Sequence, residues 1–188
     1  MQKKQPIRVS SELQFNVAQL LKEGTGATRG YDVDVKDVNE LDDEIEVVAR
    51  VIGQVKFLRT GSDILVTGSL ATTIQKKCGR CLTTFITPVS IEMEEEFYPT
   101  LDILTGSVLP QPPEADEANR IDDHHILDLS EVVRQEFLLA SDSILYCRPD
   151  CKGLCPHCGR DRNTDPCDCR DDVVDLRWAG LMQTQTED

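Results

Sequence analysis

Histidine, aromatic residues and long apolar runs are scarce in this sequence, and each scarcity narrows the range of possible functions. The 188 residues include three histidines and one tryptophan, and aromatic residues make up 5% of the chain. His124 and His125 lie in an acidic segment and His157 lies between two cysteines, so no Ser/His/Asp arrangement can be justified. No stretch approaches the roughly 20 apolar residues that span a bilayer, and there is no Gly-rich phosphate loop. The sequence therefore gives no positive indication of an enzyme or of a membrane protein.

Positive charge is also scarce, with 20 Lys and Arg residues against 34 Asp and Glu residues and a net charge of −14. Such an acidic surface disfavours nonspecific binding to nucleic acid, and we expect no DNA partner. The imbalance is uneven. Residues 92–131 hold twelve acidic side chains and one basic side chain, Arg120, whereas residues 50–81 hold six basic side chains and one acidic side chain, Asp63. The second stretch is either a local basic surface or the solvated face of a strand.

The first residues, Met1 to Ile7, carry charge but are not followed by an apolar run, so they do not form a secretory signal. We therefore expect a cytoplasmic, reducing location. In that compartment, free thiolates bind metal more often than they form disulfides.

The chain is expected to fold as a mainly β member of the α+β class. Val, Ile, Thr and Phe are abundant between Ile45 and Phe97, which predicts a small curved antiparallel sheet or partial barrel. Gly53 and Gly68 predict bulges or sharp bends in it. Three or four antiparallel strands are expected, at about 44–59, 63–76 and 84–97.

One helix, of about 129–141, is expected to pack on this sheet, and a zinc-bound C-terminal tail is expected to follow it. Asp128 is the expected N-cap, and Glu131 would complete a capping box. Leu129, Val133 and Phe137 share one apolar face.

Three parts are predicted: an N-terminal antiparallel β domain at 1–104, an acidic Pro-containing loop at 105–125, and the helix with the cysteine-rich tail at 126–188.

Eight cysteines are the most informative feature, because their spacing is typical of metal ligands. Two C-x-x-C turns, Cys78-Gly79-Arg80-Cys81 and Cys155-Pro156-His157-Cys158, each offer two ligands from one tight loop. Zinc takes four ligands in a tetrahedron, so eight thiolates suffice for two closed, structural Zn²⁺ sites. The candidate metal ligands are Cys78, Cys81, Cys147, Cys151, Cys155, Cys158, Cys167 and Cys169.

Two groupings of these cysteines are possible. Short loops cost little closure entropy, which favours one site made of Cys155, Cys158, Cys167 and Cys169. The second site then joins Cys78 and Cys81 to Cys147 and Cys151. The alternative makes Cys147, Cys151, Cys155 and Cys158 the local site.

Four thiolates on Zn²⁺ carry a formal charge of −2, and several cations lie beside the ligands. They serve either to offset this charge or to contact RNA phosphates. These cations are Arg80, Arg148, Lys152 and Arg160.

The cysteine-rich tail resembles a known family. The segment from Cys151 to Asn163, the Cys78–Leu82 turn, Gly26-Ala27-Thr28-Arg29 and the ending Asp175–Leu181 are together similar to the YceD family, the large ribosomal RNA subunit accumulation proteins. One departure is Arg162, where the family usually has leucine; it removes an apolar contact from the tail.

The resemblance implies a non-enzymatic ribosome-biogenesis factor that supports accumulation of large-subunit ribosomal RNA, with no known catalytic residue. The expected partners are large-subunit rRNA or its precursor, a basic ribosomal protein attracted by the acidic segment, or both. Two other functions stay open. One is a zinc-stabilised protein–protein adaptor unrelated to ribosomes, and the other is a hydrolase or redox enzyme with an incompletely closed metal site.

Overall fold

The structure, a computed structural model, describes residues 13–36, 40–42, 45–113, 115–143 and 146–169. The Asp175–Leu181 motif lies outside these residues. The helices are α1 (Ala18–Lys22), α2 (Ser130–Asp142) and a 3-10 turn at Glu117–Asn119. The strands are β1 (Gln14–Asn16), β2 (Thr28–Val35), β3 (Glu40–Asp42), β4 (Ile45–Val47), β5 (Val51–Arg59), β6 (Ile64–Lys77), β7 (Thr84–Pro99), β8 (Arg120–Ile121) and β9 (Ile126–Asp128). The predicted mainly β architecture is confirmed, with an open sheet.

The long β6–β7 hairpin forms the centre of the main sheet. It pairs without interruption from Ile64↔Phe97 to Lys77↔Thr84. β5 pairs antiparallel with the other edge of β6, and β2 pairs antiparallel with β5. β4 pairs with β6 on the same edge as β5, and β3 pairs with β4. β8 joins β7 in parallel, and β1 pairs separately with β9. Within the described residues, no helix is long and apolar enough to cross a membrane.

The predicted strand at 44–59 is two strands in the structure. β4 and β5 both pair with the same edge of β6, but the register shifts by two residues between Val47↔Ile74 and Ile52↔Ala71. In the gap, Val48 N donates to Thr73 O (2.9 Å) and Thr72 Oγ1 donates to Ala49 O (3.0 Å). These bonds satisfy the backbone where the ladder is interrupted.

Gly53 and Gly68 do not mark bulges, because the β5–β6 pairing runs through both without a register shift. The two strands instead approach each other closely. A Cβ on Gly53 would lie against Ser69 O and 2.9 Å from Leu70 Cα, and one on Gly68 would lie 2.8 Å from Gln54 O. Glycine is required there to leave room for the neighbouring backbone.

The two faces of the sheet differ because side chains alternate along each strand. The inner face carries Val55, Phe57, Val66, Leu70 and Ile91, all buried. α1, α2 and the β1–β9 pair pack on this face, so one core runs from Leu13 to Phe137. The outer face carries the alternate side chains of the same strands, which are exposed or half-buried.

Helix α2 begins one residue later than predicted and is capped differently. Leu129 occupies the N-cap position without a side-chain cap, while Asp128 Oδ1 accepts from Ser130 N at 2.9 Å. Glu131 pairs with Arg134 and Gln135, so no capping box forms. At the other end, Lys76 Nζ donates to Ser141 O (2.7 Å), where a cation stabilises the helix C-terminus.

Candidate metal centres

The first cysteine cluster joins the end of the β6–β7 hairpin to the segment after α2. Cys78 and Cys81 lie in the hairpin turn, which is closed by Cys78 N to Thr83 O (3.0 Å) and Leu82 N to Cys78 O (2.9 Å). Cys147 and Cys151 follow α2. The four Sγ atoms all lie within 4.8 Å of one another, and three of the four residues are buried.

The spacing of these sulfur atoms fits a tetrahedral metal site. Sγ of Cys78 lies 3.8 Å from Sγ of Cys151, and Sγ of Cys81 lies 3.8 Å from Sγ of Cys147. A regular tetrahedron with metal–sulfur bonds of about 2.3 Å has edges of about 3.8 Å. Disulfide sulfurs lie about 2.05 Å apart, and all eight cysteines are free.

The second cluster is local and more exposed. Its members are Cys155, Cys158, Cys167 and Cys169, whose Sγ atoms also lie within 4.8 Å of one another. Cys155 is buried, whereas Cys158 and Cys169 are exposed. The thiols are therefore grouped as the loop-length argument favours, and metal binding by either group stays a prediction.

In the first cluster, the backbone around the hairpin turn favours a thiolate at Cys78. Burial raises the pKa of this thiol, but backbone N–H groups of Cys81, Cys147 and Arg80 together outweigh burial and lower the pKa to about 6. The hydroxyl and backbone of Thr83 lower the pKa of Cys81. Burial and the neighbouring thiols raise the pKa of Cys147 to about 12. Binding of a metal would therefore displace a proton from Cys147.

In the second cluster, too, one thiol has a lowered pKa and another has a raised pKa. Backbone N–H groups of Cys158 and His157 lower the pKa of Cys155 to about 5. The Cys158 and Cys167 thiols raise the pKa of Cys169 to about 12. In each C-x-x-C turn, backbone donors thus favour the thiolate form of the first cysteine. The thiolate is the form that binds metal.

The side chains that contact the cysteine sulfurs differ from the cationic side chains expected from the sequence. Asn163 Nδ2 lies 3.6 Å from Cys151 Sγ, and Arg162 Nη2 lies 3.7 Å from Cys155 Sγ. The departure at Arg162 therefore places a cation beside a ligand. The side chains of Arg148 and Arg160 instead approach Asp150 (3.3 Å) and Asp165 (3.6 Å).

Sequence reasoning missed the role of Asn163. Its Oδ1 accepts from Lys152 N (2.9 Å) and from Arg148 Nη2 (2.8 Å), while its amide nitrogen reaches Cys151. The one available signal was its place at the end of the tail motif.

Arg80 connects the two clusters. Its guanidinium lies 3.7 Å from the centre of the Tyr146 ring and donates to Cys151 O (3.1 Å). Its carbonyl accepts from Leu154 N (2.9 Å), and a Cβ on Gly153 would lie 3.0 Å from that same oxygen. The tail is therefore docked on the hairpin turn by backbone contacts as well as by the cysteines.

The two C-x-x-C turns differ at the residue that follows the second cysteine. Gly159 has φ +73° and Leu82 has φ +60°, so both turns require the left-handed conformation there. Glycine adopts it freely, whereas another residue is strained by about 1–2 kcal/mol. Leu82 is 60% exposed, so burial does not offset this strain.

We expect Leu82→Gly to raise the free energy of unfolding by about 0.5–1 kcal/mol, because glycine relieves the strain and little packing is lost. Leu82→Val should lower it, since β-branched residues tolerate positive φ least. Urea denaturation of the metal-loaded protein measures both changes. A destabilised Leu82→Gly variant would show instead that the leucine side chain packs usefully.

These features define a mainly β protein with two four-cysteine clusters, one of which ties a hairpin turn to the tail. The profile of the family described as "Large ribosomal RNA subunit accumulation protein YceD" matches residues 66–183. The chain belongs to this family. The matched region holds all eight cysteines.

The curated relatives are described as uncharacterized proteins. They come from Mycobacterium bovis and from two strains of Mycobacterium tuberculosis, CDC 1551 and H37Rv. Each is 35% identical to this chain over 121 residues, which cover 64% of this chain and 55% of the relative. The chain thus spans about half the length of the curated relatives it matches. No solved structure matches it.

Proposed function

We propose that this protein is a non-enzymatic ribosome-biogenesis factor that supports accumulation of large-subunit ribosomal RNA. The observation that carries the proposal is membership of a family described by that role, over residues that include both cysteine clusters. The family description names no enzymatic activity. The protein acts by binding large-subunit rRNA or its precursor, a basic ribosomal protein, or both.

Each cluster holds one structural Zn²⁺ ion in this proposal. Four thiols at tetrahedral spacing fill the coordination sphere of zinc and leave no open position for water or substrate. The bound ions hold the tail against the β6–β7 hairpin. Iron also accepts four thiolates, so metal analysis of the full chain must find about two equivalents of zinc, and a coloured iron protein would overturn this assignment.

Depletion in the source organism tests the biological role. We expect large-subunit rRNA to fall relative to small-subunit rRNA, and the wild-type gene to restore the ratio. A Cys78→Ser gene lacks one thiol of the first cysteine cluster, and we expect it not to restore the ratio. An unchanged ratio on depletion would reject the ribosomal role and favour an adaptor that uses zinc to fold.

A further inference from the structure

The outer face of the main sheet is covered by no other element among the described residues. The register aligns its side chains in rows across four strands, and one row runs from Asp32 through Gln54 and Ser69 to Glu92. Adjacent strands lie about 4.8 Å apart, so β2 and β7 are separated by about 14 Å. This width accommodates an extended chain with its side chains.

A hollow of about 560 Å³ lies on this face over β2, β5 and β6. Gly30, Gln54, Lys56, Thr67 and Ser69 contribute to its lining. A Cβ on Gly30 would meet nothing within 4 Å, so the absence of a side chain there keeps the hollow open. No packing within the described residues requires glycine at this position, in contrast to Gly53.

The charge beside the hollow is negative. Glu92 and Glu94 are exposed, and neither forms a hydrogen bond or ion pair with another described residue. On β2, Asp32 accepts from Gln54 (2.9 Å) and Asp34 pairs with Arg50. Two basic residues, Arg29 and Lys56, line the hollow, and Arg29 forms an ion pair with Glu23. A phosphate backbone would be repelled by this face, whereas cationic side chains would be attracted.

We propose that the outer face binds an extended lysine- and arginine-rich segment of a protein. Glu92, Glu94 and Glu96 recur at every second residue of β7, about 7 Å apart, which is the side-chain period of an extended peptide. Glu96 accepts from Thr60 Oγ1 (3.1 Å) and Tyr98 OH (3.4 Å), so the carboxylates of Glu92 and Glu94 meet the charged ends of the partner's side chains. The aliphatic stems of those side chains cover the exposed Ile52 side chain. The inference rests on the proposed function, in which the segment belongs to a basic ribosomal protein.

Binding to the full-length, metal-loaded protein tests this surface. The probe is a fluorescent peptide of about 10 residues that alternates lysine and threonine, long enough to follow one strand. Fluorescence anisotropy measures its affinity at low and at physiological salt. A single-stranded RNA of similar length and a peptide that alternates glutamate and threonine are the comparison probes.

Two variants address charge and shape separately. Glu94→Lys reverses an unpaired charge on the outer face, and Gly30→Tyr places a ring over the hollow from a position where an added Cβ meets no atom within 4 Å. Asp142→Lys makes the same change of charge at the exposed end of α2, which packs on the inner face. We expect Glu94→Lys and Gly30→Tyr each to weaken peptide binding at least about fivefold, and Asp142→Lys to change it less than about twofold.

Three results would overturn the inference: absent binding of the basic peptide, tighter binding of the RNA, or equal loss of affinity in Glu94→Lys and Asp142→Lys. The last would show attraction by net charge alone. The depletion experiment separates this inference from the proposed function. If depletion lowers large-subunit rRNA and the peptide does not bind, the ribosomal role stands and the docking surface is wrong.

Discussion

Replacing Cys78 with serine is expected to reduce the zinc content from two ions to one and to destabilise the fold by at least about 4 kcal/mol. Cys78 is fully buried, and its sulfur accepts from Arg80 N and Cys147 N, both at 3.4 Å. The cluster closes the chain between the hairpin turn and the segment after α2. If the variant cannot bind the metal ion, the remaining thiols of this buried cluster are no longer held together.

Cys158→Ser provides the matched control. It also removes one zinc ligand, but Cys158 is exposed and its cluster closes over a short local segment. We expect this variant to lose one zinc and to become protease-sensitive within the tail, while the melting temperature of the β core changes little. Metal analysis, thermal denaturation and limited proteolysis measure these effects. Equal melting temperatures for the two variants would contradict a clamp between sheet and tail.

Gly53→Ala is expected to destabilise the protein by about 3 kcal/mol or more, the second large effect. The added methyl group would press on Ser69 O and lie 2.9 Å from Leu70 Cα, both backbone atoms of the neighbouring strand. The φ angle of +157° at Gly53 adds strain for any other residue. Relief would require the centre of the β5–β6 pair to separate.

Gly30→Ala is the control for this prediction, because the methyl group would enter open space and the backbone there is ordinary for a strand. We expect a change within about 0.5 kcal/mol, as for an exposed substitution. Urea denaturation of both variants makes the comparison. Similar stability of Gly53→Ala and Gly30→Ala would show that β5 and β6 do not approach as closely as the structure describes.

The strand prediction succeeded where local pattern and turn residues agreed, and failed where pairing decided the outcome. The β6–β7 hairpin follows from its β-branched residues and from the Cys78–Cys81 turn. The break between β4 and β5 has no Gly or Pro to signal it. It arises because both segments pair with one edge of β6 in registers that differ by two residues. The capping box failed because Glu131 pairs with Arg134 instead.

For the candidate metal centres, the sequence predicted the cysteines and their grouping but not the side chains that contact the sulfurs. Spacing identified the eight cysteines, and loop length favoured the grouping that the Sγ positions show. The contacts of Asn163 and Arg162 with the sulfurs were not predictable, because they depend on how the tail folds back on itself. The strain at Leu82 was equally hidden, since a leucine gives no sign of a positive φ.

The sequence by itself determined the set of candidate metal ligands, the β character of residues 45–97 and the family, because these depend on residue type and local spacing. Only the tertiary structure decided which thiols meet and how the tail docks on Arg80. It alone showed that, among the described residues, no element covers the face of the sheet that carries Glu92 and Glu94. The physical reason is that contacts between residues far apart in the chain follow from strand register and packing, and neither has a local signature.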